Sequence, residues 1–209
     1  PILHPSLLPA YRGPSPIQSA VRDGVRETGV TIMRLTEEMD AGDILSQERV
    51  PVGENETALE LTAHLSELGG VRLAEGLTQM ADGQDSWTPQ DHAAATYCWL
   101  WEKADGCLRW TEPAQSLHNL IRAAVPWPVA QCQFRDGLFR VLRARCTTTP
   151  SGAAPGTVEA ATNDGIDVAT GTTRLRLLEV QPAGKRAMRV GDFLRGAKLE
   201  PGERFEESG

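Results

Sequence analysis

Residues 3–16, LHPSLLPAYRGPSP, carry Pro5, Pro9, Pro14 and Pro16 together with Gly13. Each proline fixes φ and removes a backbone donor, so this stretch can be neither a helix interior nor a central strand. It must be an ordered loop, and it must be held by something on either side. Immediately after it, Ile17 to Val21 predicts a short helix ending near Gly24. Gly29-Val30-Thr31-Ile32-Met33-Arg34-Leu35 is β-rich and predicts a strand. A turn over Glu37 to Gly42 leads to a second strand, Ile44 to Val52.

From Thr57 the apolar period changes. Leu61, Leu65, Leu68, Leu73, Leu77 and Met80 recur at helical spacing, with Asn55 or Thr57 as cap and Gly83 as terminator. Gly69-Gly70 in the middle predicts a break into two helices. Residues 86–96, polar and containing Pro89, read as a linker between a first domain (1–85) and a second (97–209). In the second, Thr111 is the expected cap of a helix running through Leu117, Leu120 and Ile121 and closed by VPWP. QCQFRDGLFRVLRARC predicts a hairpin about Asp136-Gly137. GTVEAA, GIDVAT and RLRLLEV follow with tight turns between them, so the expected fold is a small OB-like barrel.

With 40% hydrophobic and 23% charged residues over 209 positions, the chain has enough apolar side chains for two modest cores. No apolar run is long enough to span a membrane. Cys98, Cys107, Cys132 and Cys146 form no CxxC pair, so buried free thiols in a reducing compartment are expected rather than a metal cage. The net charge of −7 is unevenly divided. Residues 1–96 hold six arginines against fifteen acids, while residues 97–198 hold fourteen bases against nine acids. An acidic first part and a basic second part point to an anionic partner for the second.

Two places can carry chemistry. His4 stands where a strand would end and the rigid loop begins, and a histidine titrating near neutrality suits proton transfer. Asp40 lies in MDAGD, where the ordinary reading of a carboxylate beside glycine is a turn former. Together they would make a base and its orienting carboxylate, if the fold brings them together. His64 and His118 fall on expected helices as packed or surface residues, and His92 falls in the linker. Trp99, Trp101, Trp110 and Trp127 are expected mainly in cores.

HPSLLPAYRGPSPIQSAV followed by ETGVTIMRLTEEMDAGDIL resembles the methionyl-tRNA formyltransferase family, within the wider group using 10-formyltetrahydrofolate. TYCWLWEKADGCLRW, IRAAVPWPVA, APGTV and LRLLEVQPAGKRAM resemble the C-terminal domain of that family in order and spacing. The resemblance implies an α/β fold: part of a Rossmann-like formyltransferase domain followed by the OB-like barrel. It implies catalysis by His4 and Asp40, with Asp40 setting the charge of the histidine as the amine of methionyl-tRNA attacks the formyl carbon. It implies folate contact at Ser6, Leu7, Leu8 and Pro9, with loop backbone groups facing the pterin. The tRNA contacts it implies are Arg12, near the acceptor end, and the barrel residues Arg140, Arg143, Arg145, Arg174, Arg176, Lys185, Arg186 and Arg189. The implied partners are initiator methionyl-tRNA and folate, in a cytoplasmic monomer without metal or membrane. Where the family has a catalytic Asn, two residues before the histidine, this chain has Ile2. The family also has a long segment ahead of the histidine, so the chain reads as the later part of a longer product and is expected not to transfer formyl groups alone. Competing expectations are a formyltransferase for another amine, such as a sugar nucleotide, and a catalytically impaired tRNA-binding homologue.

Overall fold

The structure is a computed structural model, described here over residues 1–208. It forms two compact units that divide between Trp101 and Glu102. In the first, β1 (Ile2–His4), β2 (Glu27–Met33) and β3 (Ile44–Pro51) form an antiparallel sheet in the order β1-β2-β3. β2 is central, and six of its seven residues are buried. This explains why it reads as a nearly continuous β-rich run. Helix α1 (Pro16–Asp23) starts on a proline, where a missing donor costs nothing, and ends at Gly24 in the left-handed conformation.

Helix α2 (Ala58–Ala81) is a single element of 24 residues, not the two suggested by Gly69-Gly70. Thr57 and Glu60 form a reciprocal capping box at its start. The glycines mark proximity rather than a break. A Cβ on Gly69 would come within 2.6 Å of the Leu3 side chain, and one on Gly76 within 2.9 Å of Leu45. Leu61 and Leu65 from this helix are buried with Val30 and Ile32 of β2 and with Ala20 and Val21 of α1.

The second unit is built on one curled antiparallel sheet. Its order is β10 (Phe205–Glu206), β4 (Ala130–Phe134), β5 (Gly137–Pro150), β8 (Thr173–Pro182), β7 (Gly165–Ala169), β6 (Val158–Thr162), with β9 (Met188–Arg189) paired to β8. Register shifts in β5 after Val141, after Arg143 and after Cys146 bend this long strand, as curling requires. The β4–β5 hairpin turns at Arg135-Asp136, with Phe134 opposite Gly137. Phe134, Phe139, Phe205 and Trp110 cluster in its core, with ring centroids 4.7–5.7 Å apart. Helix α3 (Ala114–Ala123) packs on the sheet, and a short helix α4 (Val190–Gly196) follows β9. Thr111 does not cap α3. Instead, the first amide, Ala114 N–H, donates to the Thr172 hydroxyl at 3.1 Å, a partner nearly sixty residues away that no local pattern reveals.

Residues 86–96 are not a free tether. Thr88 pairs with Ile44, and Arg12 N–H donates to Thr96 O at 2.9 Å while Cys98 N–H donates to Arg12 O at 2.8 Å. The segment is a strap across the first unit. Of the tryptophans, Trp101 and Trp110 are buried as expected, but Trp99 and Trp127 are exposed. The Arg22 guanidinium lies between Trp99 and Trp101, 5.7 and 5.5 Å from their rings. Cys98 and Cys132 are buried; Cys107 and Cys146 are only partly covered, which corrects the expectation of four buried thiols.

Candidate active site

The proline-rich loop is rigid because its groups are tied down one by one. Ser6 Oγ donates to Ala10 O at 2.6 Å, and Ala10 N–H donates to Leu7 O at 3.1 Å. The Thr31 hydroxyl, wholly buried on β2, donates to Ser6 O at 2.6 Å and accepts from Leu8 N–H at 3.1 Å. Gln47 on β3 donates to Leu8 O at 2.8 Å and to Thr31 Oγ1 at 2.9 Å. Thr31 and Gln47 were missed in sequence because polar residues in a strand look like ordinary pattern noise. Ser6 and Leu8 are buried by these ties; Leu7 and Pro9 keep partial exposure.

His4 and Asp40 meet. His4 Nδ1 lies 3.6 Å from Asp40 Oδ2, in a pair whose imidazole is 5% exposed as a residue and whose carboxylate side chain is 18% exposed. His4 Nε2 is 2.9 Å from Tyr11 O; a carbonyl only accepts, so Nε2 carries a proton and Nδ1 faces the carboxylate. Asp40 Oδ2 also accepts from Gly13 N–H at 2.8 Å. The two groups presented to the imidazole come from strained backbone, since Tyr11 has φ 59° and Asp40 φ 53°. Non-glycine residues in this region cost of order 1–3 kcal/mol each and persist only where the surroundings hold them.

Tyr11 OH donates to Asp23 Oδ2 at 2.8 Å. Burial, reinforced by that bond and by the carboxylate charge, pushes its ionisation well above the usual tyrosine range. Buried Cys98 has Sγ 3.7 Å from Tyr11 O, and burial raises its thiol pKa, which disfavours the thiolate.

Arg12 is 1% exposed. Its guanidinium is taken up by Gln90 Oε1 at 2.7 and 3.2 Å, His92 Nδ1 at 3.2 Å and Tyr97 OH at 3.4 Å, with Glu38 3.8 Å away. It thus lies within the first unit rather than on an open surface. Ile2, on β1 two residues before His4, shares its side of the strand and is 38% exposed.

On the second unit Arg143 and Arg145 are exposed on β5, Arg140 is partly covered, and Lys185 and Arg186 are exposed in the turn after β8. Arg143 is paired with Glu179 at 3.7 Å. Arg174 is paired with Glu159, and Arg176 makes two bonds to Asp167 at 2.5 and 2.7 Å. These last two arginines are paired within the sheet, whereas Arg145, Lys185, Arg186 and Arg189 are exposed, as is Arg143 beside its Glu179 partner.

The first unit thus brings a histidine and a carboxylate together on two hydrogen-bonded loops, and the second is a curled sheet with exposed arginines. The chain belongs to the formyl transferase family: residues 2–77 match the model described as formyl transferase, and residues 101–198 match formyl transferase, C-terminal domain. It is 41% identical over 99% of its length to a methionyl-tRNA formyltransferase of Roseiflexus sp. strain RS-1, covering 63% of that protein. It is 44% identical over 94% of its length to the methionyl-tRNA formyltransferase of Herpetosiphon aurantiacus, covering 64% of it. The chain therefore spans somewhat less than two thirds of these relatives. Among solved structures it resembles HypX from Aquifex aeolicus in complex with tetrahydrofolic acid, with TM-score 0.71, 21% identity, and coverage of 100% of this chain and 38% of that one. An N-formyltransferase from Helicobacter canadensis, in complex with folinic acid and dTDP-3-aminofucose, gives TM-score 0.69, 17% identity, and coverage of 84% and 64%. At these identities the structural likeness concerns the fold.

Proposed function

We propose that this chain forms the His–Asp site and the C-terminal unit of a methionyl-tRNA formyltransferase, which moves a formyl group from 10-formyltetrahydrofolate to the amino group of initiator methionyl-tRNA. The observation that carries the reading is the convergence of His4 and Asp40, 36 positions apart in sequence, beside a proline-rich loop held by hydrogen bonds from Thr31 and Gln47. The folate derivative supplies the formyl carbon. The attacking amine must lose a proton; in this reading Asp40 sets the charge of His4 and helps order the water through which that proton leaves. Proton-bearing Nε2 and the carboxylate at Nδ1 fix the orientation of the ring before substrate arrives.

Ser6, Leu7, Leu8 and Pro9 form the folate-facing loop in this reading, but they divide the work. Ser6 and Leu8 anchor it, while Leu7 and Pro9 keep the surface a flat ring can lie against. Because the loop's carbonyls at Ser6, Leu7 and Leu8 already accept bonds inside the unit, recognition there rests on shape and apolar contact more than on free backbone groups. The exposed Arg143, Arg145, Lys185 and Arg186, with partly covered Arg140, supply the phosphate contacts for the tRNA. A soluble, cytoplasmic translation enzyme follows from this reading.

The test is an acceptor comparison. The full-length protein, given 10-formyltetrahydrofolate, should formylate methionyl-tRNA and leave a dTDP-amino sugar untouched; the reverse preference refutes the proposal. Ile2 supports a second reading, a catalytically impaired tRNA-binding homologue, because an isoleucine cannot donate to a developing oxyanion. Losing one such donor costs about 100- to 1000-fold in rate. Restoring it with Ile2→Asn should raise kcat by about that factor if the protein is impaired, and leave it unchanged if the site works without the amide.

A further inference from the structure

We infer that Gln90 is a positioning residue for the His4–Asp40 pair: it clips the aspartate loop to the histidine loop through one carboxamide. This rests on the reading above for its effect on rate, but the geometry stands by itself. Gln90 is 5% exposed. Its Nε2 donates to Asp40 O at 2.8 Å and to Gly42 O at 2.7 Å, so both amide protons go to the loop that holds the carboxylate. Its Oε1 accepts from Arg12 Nη2 at 2.7 Å and Nε at 3.2 Å, and Arg12 is part of the loop that starts at His4. The partners fix the orientation of the amide, because guanidinium can only donate and carbonyls can only accept.

The strap carrying Gln90 is itself stitched to the same two loops. Thr88 pairs with Ile44 beyond the aspartate loop, and Thr96 O takes Arg12 N–H while the Thr96 hydroxyl takes Tyr11 N–H at 2.9 Å. Asp40 sits at φ 53°, in the left-handed region that few non-glycine residues adopt, aspartate among the more frequent of them. The two bonds from Gln90 hold the chain at that residue's own carbonyl and at that of Gly42, two residues on. Glycine at 42 is required by the same crowding, since a Cβ there would come within 1.8 Å of Arg34 O. Only an amide has both a donor pair for the carbonyls and an acceptor for the guanidinium. Glutamate would keep the arginine and present a carboxylate oxygen to two carbonyl oxygens. Methionine would take the donors from both carbonyls and leave the guanidinium only His92, Tyr97 and Glu38.

The experiment uses the full-length protein with 15N-labelled histidine and selectively labelled glutamine. In the wild type, the Gln90 carboxamide protons should exchange at least tenfold more slowly than those of an exposed glutamine; free exchange overturns the clip directly, whether or not any variant folds. In Gln90→Glu, checked for folding by near-UV circular dichroism, the His4 ring nitrogens should change their 15N shifts, and kcat should fall by about 10- to 100-fold with KM within about twofold, the scale expected of a catalytic group displaced by around 1 Å. A folded variant with unchanged His4 shifts refutes the positioning role. If the wild type proves not to formylate methionyl-tRNA, the functional reading fails, and the exchange and His4 measurements still decide this inference.

Discussion

At the scale of single residues, the site is a set of strained or buried groups that hold one another. Tyr11 gives its carbonyl to His4, its amide to Thr96 and its hydroxyl to Asp23. Its raised ionisation means that the folded state binds the phenolic proton more tightly than the unfolded chain does. This stabilisation is complete below the ordinary tyrosine value of 10.0 and is lost as pH rises through the higher folded value. The 295 nm absorbance of Tyr11, isolated by difference against Tyr11→Phe, should therefore show no ionisation at pH 10 in the folded protein. Gly13 is a second case. It has φ +116°, a Cβ there would come within 2.3 Å of Cys98 O, and its amide holds Asp40. Gly13→Ala should destabilise the first unit by about 2 kcal/mol or more, read from denaturant midpoints.

At the scale of elements, the strands and α2 were legible because β-branched runs and the leucine period declare themselves locally, and the Thr57–Glu60 cap is written within four residues. What was not legible is whatever one element does for another. Gly69-Gly70 looked like a helix break, but Gly69 is where α2 meets Leu3, and Gly76, a turn or two on, is where it meets Leu45 and Ile32. Residues 86–96 read as a linker from their polar composition and Pro89, because the bonds they make are to residues some forty to eighty-seven positions away. His4 and Asp40 could be named as candidates from residue chemistry, but their meeting was suggested only by resemblance. Leu65→Ala, at a buried α2 position, should cost about 2–5 kcal/mol with the loops unchanged, since it empties the helix–sheet core. By contrast, Gly69→Ala must push Leu3, on the strand that ends at His4, so its loss of activity should exceed what its smaller loss of stability accounts for.

At the scale of the whole molecule, the two units divide the charge as they divide the proposed labour. The acidic first unit holds the His4–Asp40 pair to which the proposal gives the proton chemistry, and the second exposes the arginines and lysine to which it gives the phosphates. Binding of tRNA should weaken steeply with salt, and Arg145→Ala or Lys185→Ala should each reduce the slope of log K against log salt by about 1. Arg176→Ala should change the slope little and stability more, because its guanidinium is spent on Asp167. The central claim is that the His4–Asp40 pair carries the proton transfer, and Asp40→Asn in the full-length protein tests it most directly, since the variant keeps the side chain's shape and an oxygen for Gly13 N–H. Single-turnover formylation of methionyl-tRNA should slow by about 100- to 10,000-fold with tRNA affinity unchanged; a rate within threefold of the wild type contradicts the assignment.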